Sequence, residues 1–307
     1  MPKSFDIIGA PFNQLGCYPT KDNTVDGLRR LDESNWIGLS DWVNVRNNRW
    51  NADIRDLGDV KPDSVVLQLT ESNSKEKALS RYANTLKEMV LNSYQNQRTP
   101  ITLGGDHSIA IGTVQATLEY FQKQQGKRVA VIWIDAHADC NDSVASNLHG
   151  KPLAMLMDKY PHNNWAVDAG IVLNPQDVYY VAVRDLMPNE DALIKQHSMV
   201  NFDMTSIETL GISNVLNQLI EIIDKNYDCA YVSFDYDALD GSLFRACGTP
   251  NVGGLSAREA LHLVDGLASH PKFVGIDFVE YLPELDQQGI SKELMIKLID
   301  AVWGFRS

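Results

Sequence analysis

The sequence has no long apolar run, and this absence excludes a membrane-spanning helix. No stretch of the 307 residues approaches the roughly 18 consecutive apolar residues that such a helix needs. The opening MPKSFDIIGAPF also lacks the extended apolar segment and the cleavage pattern of a secretory signal. We therefore expect a cytoplasmic protein that does not bind membranes.

Positive charge and cysteine are also scarce. The chain has 27 Lys and Arg against 40 Asp and Glu, which gives a formal net charge of −13. This balance argues against nucleic acid as a partner, because Lys and Arg must neutralise the phosphate backbone. The four cysteines are far apart and form no C-x-x-C pair, so we expect reduced thiols and no disulfide.

What the sequence does have is an alternation of short β-rich runs with longer segments of helical period. Predicted strands cover 5–11, 64–69, 99–105, 129–135, 177–183, 229–235 and 273–279, and predicted helices cover 75–95, 108–125, 213–225, 256–269 and 291–303. The strand runs are continuous in Val, Ile, Phe and Tyr, which is typical of strands buried on both faces. We predict a three-layer α/β fold, with a central mainly parallel sheet flanked by helices on both faces, and a single domain over residues 1–307.

Acidic residues and histidines follow several predicted strands at their carboxyl ends, where ligands bind in sheets of this kind. These residues are His107 in GGDHS, then Asp135, His137 and Asp139 in VIWIDAHADCND, Asp235 and Asp237 in SFDYD, and Glu280. Residues two apart on an extended chain point to the same side, so each Asp and His group can converge. One such group alone is often only a turn or cap. Three groups, each at the end of a strand, favour a functional site.

The composition of these groups indicates metal binding. Four carboxylates in one crevice would repel one another, and two divalent cations would remove that cost. Four aspartates and two histidines are too many ligands for one tetrahedral zinc ion. An oxygen-rich set with two imidazoles suits Mn²⁺, and less uniquely Zn²⁺ or Fe²⁺. The pattern therefore predicts a two-metal site that can activate water.

Three sequence blocks resemble those of a known family: GGDHS at 104–108, DAHAD at 135–139 and SFDYDALD at 233–240. They are similar to the signature blocks of the ureohydrolases, the arginase/agmatinase family, and the resemblance extends from about residue 5 to residue 304. NLHGKPLA at 147–154 and GTPNVGGLSAREAL at 248–261 resemble arginases more than agmatinases. The resemblance implies a dinuclear manganese hydrolase that cleaves L-arginine to urea and L-ornithine by attack of a metal-bridging hydroxide. It also implies a homo-oligomer, either a trimer or a hexamer.

The resemblance also implies roles for individual residues. The two manganese ions would be held by His107, Asp135, His137, Asp139, Asp235 and Asp237. Asp139 would in addition hold the hydrogen of the nucleophile. His149 matches a histidine proposed as the proton shuttle, Glu280 matches the glutamate that holds the guanidinium group, and Thr249 matches a threonine beside it. Asn141 matches a residue that reads the substrate α-carboxylate, and Ser146 is the nearest candidate for a serine with the same task.

The segment VRDLMPNEDALI departs from the family pattern. Met187 stands where the family usually has an aspartate that reads the α-ammonium group, and a thioether cannot pair with an ammonium ion. Glu190 is retained, and we expect it to compensate in part by binding substrate. The alternative function is therefore hydrolysis of agmatine or of a guanidino acid. A ureohydrolase-like protein that binds without turnover and a deacetylase-like amidohydrolase are less favoured alternatives.

Overall fold

The computed structural model describes residues 3–31, 38–167 and 170–305. Within these ranges the strands are β1 (Ser4–Ala10), β2 (Asp53–Asp59), β3 (Thr99–Gly104), β4 (Val129–Ile134), β5 (Val178–Val181), β6 (Val200–Phe202), β7 (Cys229–Asp235) and β8 (Phe273–Val279). The α-helices are α1 (Thr24–Arg29), α2 (Leu39–Trp50), α3 (Ser64–Glu71), α4 (Lys75–Gln95), α5 (Ala110–Thr117), α6 (Pro152–Leu156), α7 (Pro188–Gln196), α8 (Met204–Leu210), α9 (Ile212–Asn226), α10 (Ala257–Ser269) and α11 (Ile290–Val302). A π-helical segment over Leu118–Lys123 extends α5. In the described part of the chain, no helix combines the length and the apolar character needed to cross a membrane.

The strands form one sheet in which every neighbouring pair is parallel. Their order is β2-β1-β3-β8-β7-β4-β5-β6. The four central strands, β3, β8, β7 and β4, therefore end side by side at one edge of the sheet. These are the strands followed by the predicted metal ligands and by Glu280, so the topology brings distant parts of the sequence to one crevice.

Strand β4 shows why the strands read as continuous apolar runs. Ala130, Ile132 and Ile134 belong to a core on one face of the sheet, which includes residues of α9, α10 and α11. The alternate residues, Val129, Val131 and Trp133, belong to a second core, which includes residues of α4 and α5. Because both faces of the strand are covered, every position must be apolar. The predicted fold class, a parallel sheet between two helical layers, is confirmed.

The prediction of a strand at 64–69 is wrong, because this segment is helix α3. Asp63 caps the helix by accepting a hydrogen bond from the Val66 N–H at 2.8 Å. Val66 is buried, whereas Val65 and Leu67 are exposed, so the run is not buried on both faces. A short apolar run does not by itself distinguish a strand from a helix.

Two strands, β2 and β6, were not predicted. They form the two edges of the sheet. β2 has the polar sequence DIRDLGD, and β6 has three residues, so neither carries the apolar signal of a central strand. By contrast, the capping box that SARE indicates is present, since Ser256 accepts a hydrogen bond from the Glu259 N–H and Glu259 accepts one from the Ser256 N–H.

Candidate metal centre and substrate pocket

The centre of the site is the imidazole of His107, which follows β3 and is fully buried. Its Nδ1 atom lies 3.2 Å from Asp135 Oδ2, 3.0 Å from Asp139 Oδ2 and 2.9 Å from Asp235 Oδ2. Although these oxygens are close, Nδ1 has no hydrogen bond of good geometry. A buried polar atom is rarely left without a partner. A nitrogen that faces three carboxylates in this way fits the ligand set of a cation.

A second group of ligands adjoins the first through Asp135. His137 Nδ1 lies 3.1 Å from Asp237 Oδ2 and 3.5 Å from Asp135 Oδ1. Ligand atoms of Asp135, His137 and Asp237 lie within 4.8 Å of one another, as do those of His107, Asp135 and Asp139. Asp135 thus belongs to both groups, one through each carboxylate oxygen. The six predicted ligands form one connected cluster, and its composition fits two neighbouring divalent cations.

The register of the central strands places these residues at the same height. Ile134 of β4 pairs with Phe234 of β7, so the next residues, Asp135 and Asp235, lie at the same level at the ends of the two strands. Asp235 in turn pairs with Val279 of β8, after which comes Glu280. Asp139 and Glu280 have left-handed backbone conformations, with φ of 49° and 65°. Such conformations are costly for residues other than glycine and cluster at functional sites.

Burial, and then repulsion from neighbouring carboxylates, raises the pKa of three aspartates of the cluster. Burial, and then the nearby Asp135 carboxylate, raises the pKa of Asp139 to about 6. Burial and the same neighbour also raise the pKa of Asp237. For Asp235, burial is again the largest cause of a raised pKa, followed by repulsion from Asp237. A bound divalent cation would relieve this repulsion.

A buried chain of hydrogen bonds behind the site fixes the orientation of His107, and sequence reasoning missed it. His107 Nε2 lies 2.9 Å from Ser233 Oγ, and Ser233 Oγ donates to Asp277. Because the serine proton is directed to the carboxylate, Ser233 accepts from Nε2–H, which leaves the Nδ1 lone pair facing the carboxylate cluster. Thr113 and Tyr231 also donate to Asp277. The signal available in the sequence was Asp277 itself, a carboxylate inside the apolar run FVGIDFV.

Trp133 supports the cluster from the adjacent side. Its ring stacks on His107, with centroids 4.1 Å apart and an interplanar angle of 6°. Its indole N–H donates to Asp135 Oδ2 at 2.9 Å. Both contacts are buried, so they restrict the rotamers of a histidine and an aspartate that are predicted to bind metal.

A cavity of about 380 Å³ opens beside the cluster. Nine of the residues predicted for the site line it: His137, Asp139, Asn141, Ser146, His149, Glu190, Asp235, Asp237 and Thr249. The other three, His107, Asp135 and Glu280, are buried residues in contact with members of this lining. Thr249 Oγ1 donates to Asp237 Oδ2 at 2.8 Å, which places the threonine next to the predicted ligands.

His149 and Glu280 form an ion pair at this cavity. His149 Nδ1 lies 3.0 Å from Glu280 Oε1, which also accepts a hydrogen bond from the His107 N–H at 2.9 Å. Burial opposes the charged ring, but the Glu280 carboxylate raises the pKa of His149 to about 12. Cys17 was not predicted at the site, yet its Sγ lies 3.3 Å from His149 Nε2. The thiol comes from the loop after β1, which carries no local motif.

Two further predicted residues have internal partners. Glu190 is buried, and its carboxylate accepts hydrogen bonds from the Met187 N–H at 2.9 Å and the Cys140 N–H at 3.3 Å. Burial raises the pKa of Glu190 to about 7. Ser146 Oγ accepts a hydrogen bond from the buried Lys151 ammonium group. Substrate binding by Glu190 stays a prediction, and in this structure each of its carboxylate oxygens already accepts a hydrogen bond from a backbone N–H.

Comparison with known proteins gives a consistent result over the whole chain. The model of the arginase family matches residues 3–304. The arginase of Staphylococcus aureus strain COL is 31% identical over 318 aligned positions, which cover 98% of this chain and 97% of that protein. The arginase of Coccidioides immitis is 34% identical over 228 positions, covering 72% and 70%. The solved structure of arginase from Bacillus caldovelox superposes with a TM-score of 0.83 at 27% identity, covering 99% of both chains.

Proposed function

Because the chain belongs to the arginase family, whose members are hydrolases of guanidino C–N bonds, we propose that it converts L-arginine to urea and L-ornithine with two Mn²⁺ ions. The observation that carries the proposal is the double ligand cluster that shares Asp135. It adjoins a cavity lined by His149, whose ring pairs with the buried carboxylate of Glu280. The oxygen-rich ligand set, with one imidazole in each group, favours Mn²⁺ over a closed zinc site.

The chemistry follows from what each group can hold or donate. The six ligands of the cluster would hold two divalent cations, which would lower the pKa of water so that hydroxide is available near neutral pH. A guanidinium group is charged at any physiological pH and presents a planar set of N–H donors. The buried Glu280 carboxylate can orient it through charge-assisted hydrogen bonds. Asp139 can accept the hydrogen of the attacking group, and His149 can give a proton to the leaving amine.

Assembly and location belong to the same proposal. All described strands lie in one sheet, which supports one domain over residues 1–307. We propose a trimer or hexamer of this chain in the cytoplasm. Sedimentation analysis of the purified protein would test the oligomeric state.

Hydrolysis of a guanidino acid or of agmatine is the second candidate, and Met187 is the observation that favours the guanidino acid, which has no α-ammonium group. Its side chain is 58% exposed and lines the cavity, where the family usually has an acidic reader of the α-ammonium group. A methionine there offers no acceptor for a cation. This candidate keeps the metal centre and changes only the far end of the substrate.

A urea-release assay with a panel of guanidino compounds tests the proposal. The metal-free protein is reconstituted with Mn²⁺ and given L-arginine, agmatine and guanidino acids of matched length. We expect urea from L-arginine, and His107→Ala and Asp237→Ala should abolish most of it while the far-ultraviolet circular dichroism spectrum is retained. Full activity of either variant would overturn the ligand assignment. Tight Mn²⁺ and arginine binding without urea from any compound would instead indicate a non-catalytic relative.

A further inference from the structure

Asn189, at the start of α7, forms a contact that none of the functional roles described so far uses. Its Nδ2 atom donates to Asn141 Oδ1 at 3.0 Å and to Asp142 Oδ1 at 2.7 Å. Asn141 lines the cavity beside Asp139. Asn189 therefore connects the first turn of a helix to the loop that follows the metal ligands.

These contacts determine which end of each amide is nitrogen. The Asp142 carboxylate can only accept, so the Asn189 atom facing it must be the NH₂ group. The Ser143 N–H, which can only donate, lies 2.9 Å from Asn141 Oδ1. The Ser143 N–H and the Asn189 NH₂ group both donate to the same atom of Asn141, which must therefore be its oxygen. Exchanging the oxygen and nitrogen of the Asn141 amide would break both hydrogen bonds.

The consequence is that Asn141 offers the cavity a donor. Its oxygen is occupied by Ser143 and Asn189, and the hydrogen bonds of the described residues leave Nδ2 without an acceptor. An NH₂ group recognises an anionic oxygen and gains nothing from an ammonium ion. The substrate group that fits beside Asn141 is therefore a carboxylate.

The helix that carries Asn189 is held at a fixed position relative to this loop. Glu190, the next residue, accepts hydrogen bonds from the N–H groups of Met187 and Cys140. One carboxylate thus joins the start of α7 to the segment that leads to Asn141. Glu190 also lines the cavity, but each of its carboxylate oxygens already accepts a backbone N–H, while Met187 lies exposed at the cavity surface. The α-ammonium side consequently has an exposed thioether and a carboxylate whose two oxygens are held by backbone N–H groups.

We propose that Asn189 is a positioning residue that orients the Asn141 amide, so that this site selects a guanidino substrate by its carboxylate and does not read its α-ammonium group. The inference rests on the proposed function, since it concerns the far end of the same substrate. The substrate class that the site would select is the ω-guanidino carboxylates. L-arginine and its desamino analogue both belong to that class, and agmatine does not.

The test compares three substrates of matched length on Mn²⁺-loaded protein. L-arginine has both end groups, 5-guanidinopentanoate keeps the carboxylate alone, and agmatine keeps the ammonium alone. For the unaltered chain, we expect the KM values of L-arginine and 5-guanidinopentanoate to agree within about 3-fold. The KM of agmatine should be at least about 10-fold higher, because a hydrogen bond to a charged carboxylate contributes roughly a factor of ten to binding.

The variant Asn189→Ala removes the donor that orients Asn141. It should raise KM for both carboxylates about 10-fold, leave kcat within about 2-fold and leave agmatine unaffected. Asn214→Ala is the matched control, because Asn214 is also an asparagine in a first helical turn, that of α9, and it donates to Leu210 O at the end of the preceding helix α8. It should change none of these constants.

The possible outcomes separate this inference from the proposed function. Three results would overturn the inference while urea release stands. They are equal changes in KM for all three substrates in Asn189→Ala, no change in KM in that variant, and a preference of the unaltered chain for agmatine over the desamino acid. If no compound yields urea, the proposed function fails. The inference is then tested by the change in melting temperature on adding the desamino acid or agmatine. It requires that only the acid raises the melting temperature, and that this increase is lost in Asn189→Ala.

Discussion

Replacing Ser233 by alanine is expected to weaken metal binding while the fold remains intact. The hydroxyl lies between His107 Nε2, at 2.9 Å, and Asp277, and all three side chains are buried. Without it, the Nε2–H of His107 has no acceptor among the described residues. The ring then has no hydrogen bond that fixes its tautomer and directs the Nδ1 lone pair toward the carboxylates.

The magnitude follows from the groups that lose partners. Asp277 keeps the hydrogen bonds from Thr113 and Tyr231, so its loss is partial. The imidazole loses its hydrogen bond in a site without solvent, which costs about 1–3 kcal/mol of folding stability. Removing such an orienting partner typically lowers metal affinity by about 10-fold to 100-fold. At about 1.4 kcal/mol per factor of ten, that loss of affinity corresponds to about 1.4–2.8 kcal/mol of metal-binding free energy.

The assay is a calorimetric titration of metal-free protein with Mn²⁺, which gives the metal affinity. A denaturant unfolding curve for each variant gives its free energy of unfolding. Ser93→Ala is the matched control, because Ser93 is also fully buried and donates to a buried carboxylate, that of Asp6, at 2.8 Å. Ser93→Ala should lower the free energy of unfolding by a similar amount and leave Mn²⁺ affinity unchanged. If Ser233→Ala binds Mn²⁺ as tightly as the unaltered chain, the orienting role is refuted.

Four further substitutions have expected outcomes. Glu280→Gln removes the charge that faces the guanidinium group and should lower kcat/KM for L-arginine by at least about 10-fold, measured by urea release. His149→Asn removes the proton donor and should lower kcat by about 10²-fold to 10⁴-fold, with KM changed far less; an unchanged kcat would exclude the proton role. Met187→Asp supplies an acceptor for the α-ammonium group and should lower KM for L-arginine about 10-fold without improving the desamino acid. Arg46→Met leaves the buried Asp300 carboxylate without its ion-pair partner and should lower the free energy of unfolding by about 3–5 kcal/mol in a urea titration; a loss below about 1 kcal/mol would contradict the buried-pair interpretation.

The parts of the fold that sequence reasoning predicted are those with a local signal. Central strands such as β4 are buried on both faces and therefore need apolar residues at every position. The ligands Asp135, His137 and Asp139 follow β4 directly, so their place at the carboxyl edge of the sheet follows from the strand, whereas the left-handed backbone at Asp139 could not be predicted from it. The edge strands β2 and β6 lack that constraint, and α3 was mistaken for a strand because its short apolar run is ambiguous.

The parts of the site that were missed depend on contacts between distant segments. Ser233 and Asp277 meet His107 because β7, β8 and β3 are neighbours in the sheet. Cys17 reaches His149 across 132 positions of sequence. Asn189 reaches Asn141 across 48 positions, through the fixed start of α7. Strand order and loop packing determine these pairs, and neither can be read from residue spacing.

The most direct test of the central claim is the initial rate of urea release from L-arginine as Mn²⁺ is added stepwise to metal-free protein. The double ligand cluster predicts a rate near zero without metal, a rise with added Mn²⁺ and saturation at two ions per chain. Urea release that is undiminished in metal-free protein, or no urea from L-arginine with two Mn²⁺ ions bound, would contradict the account.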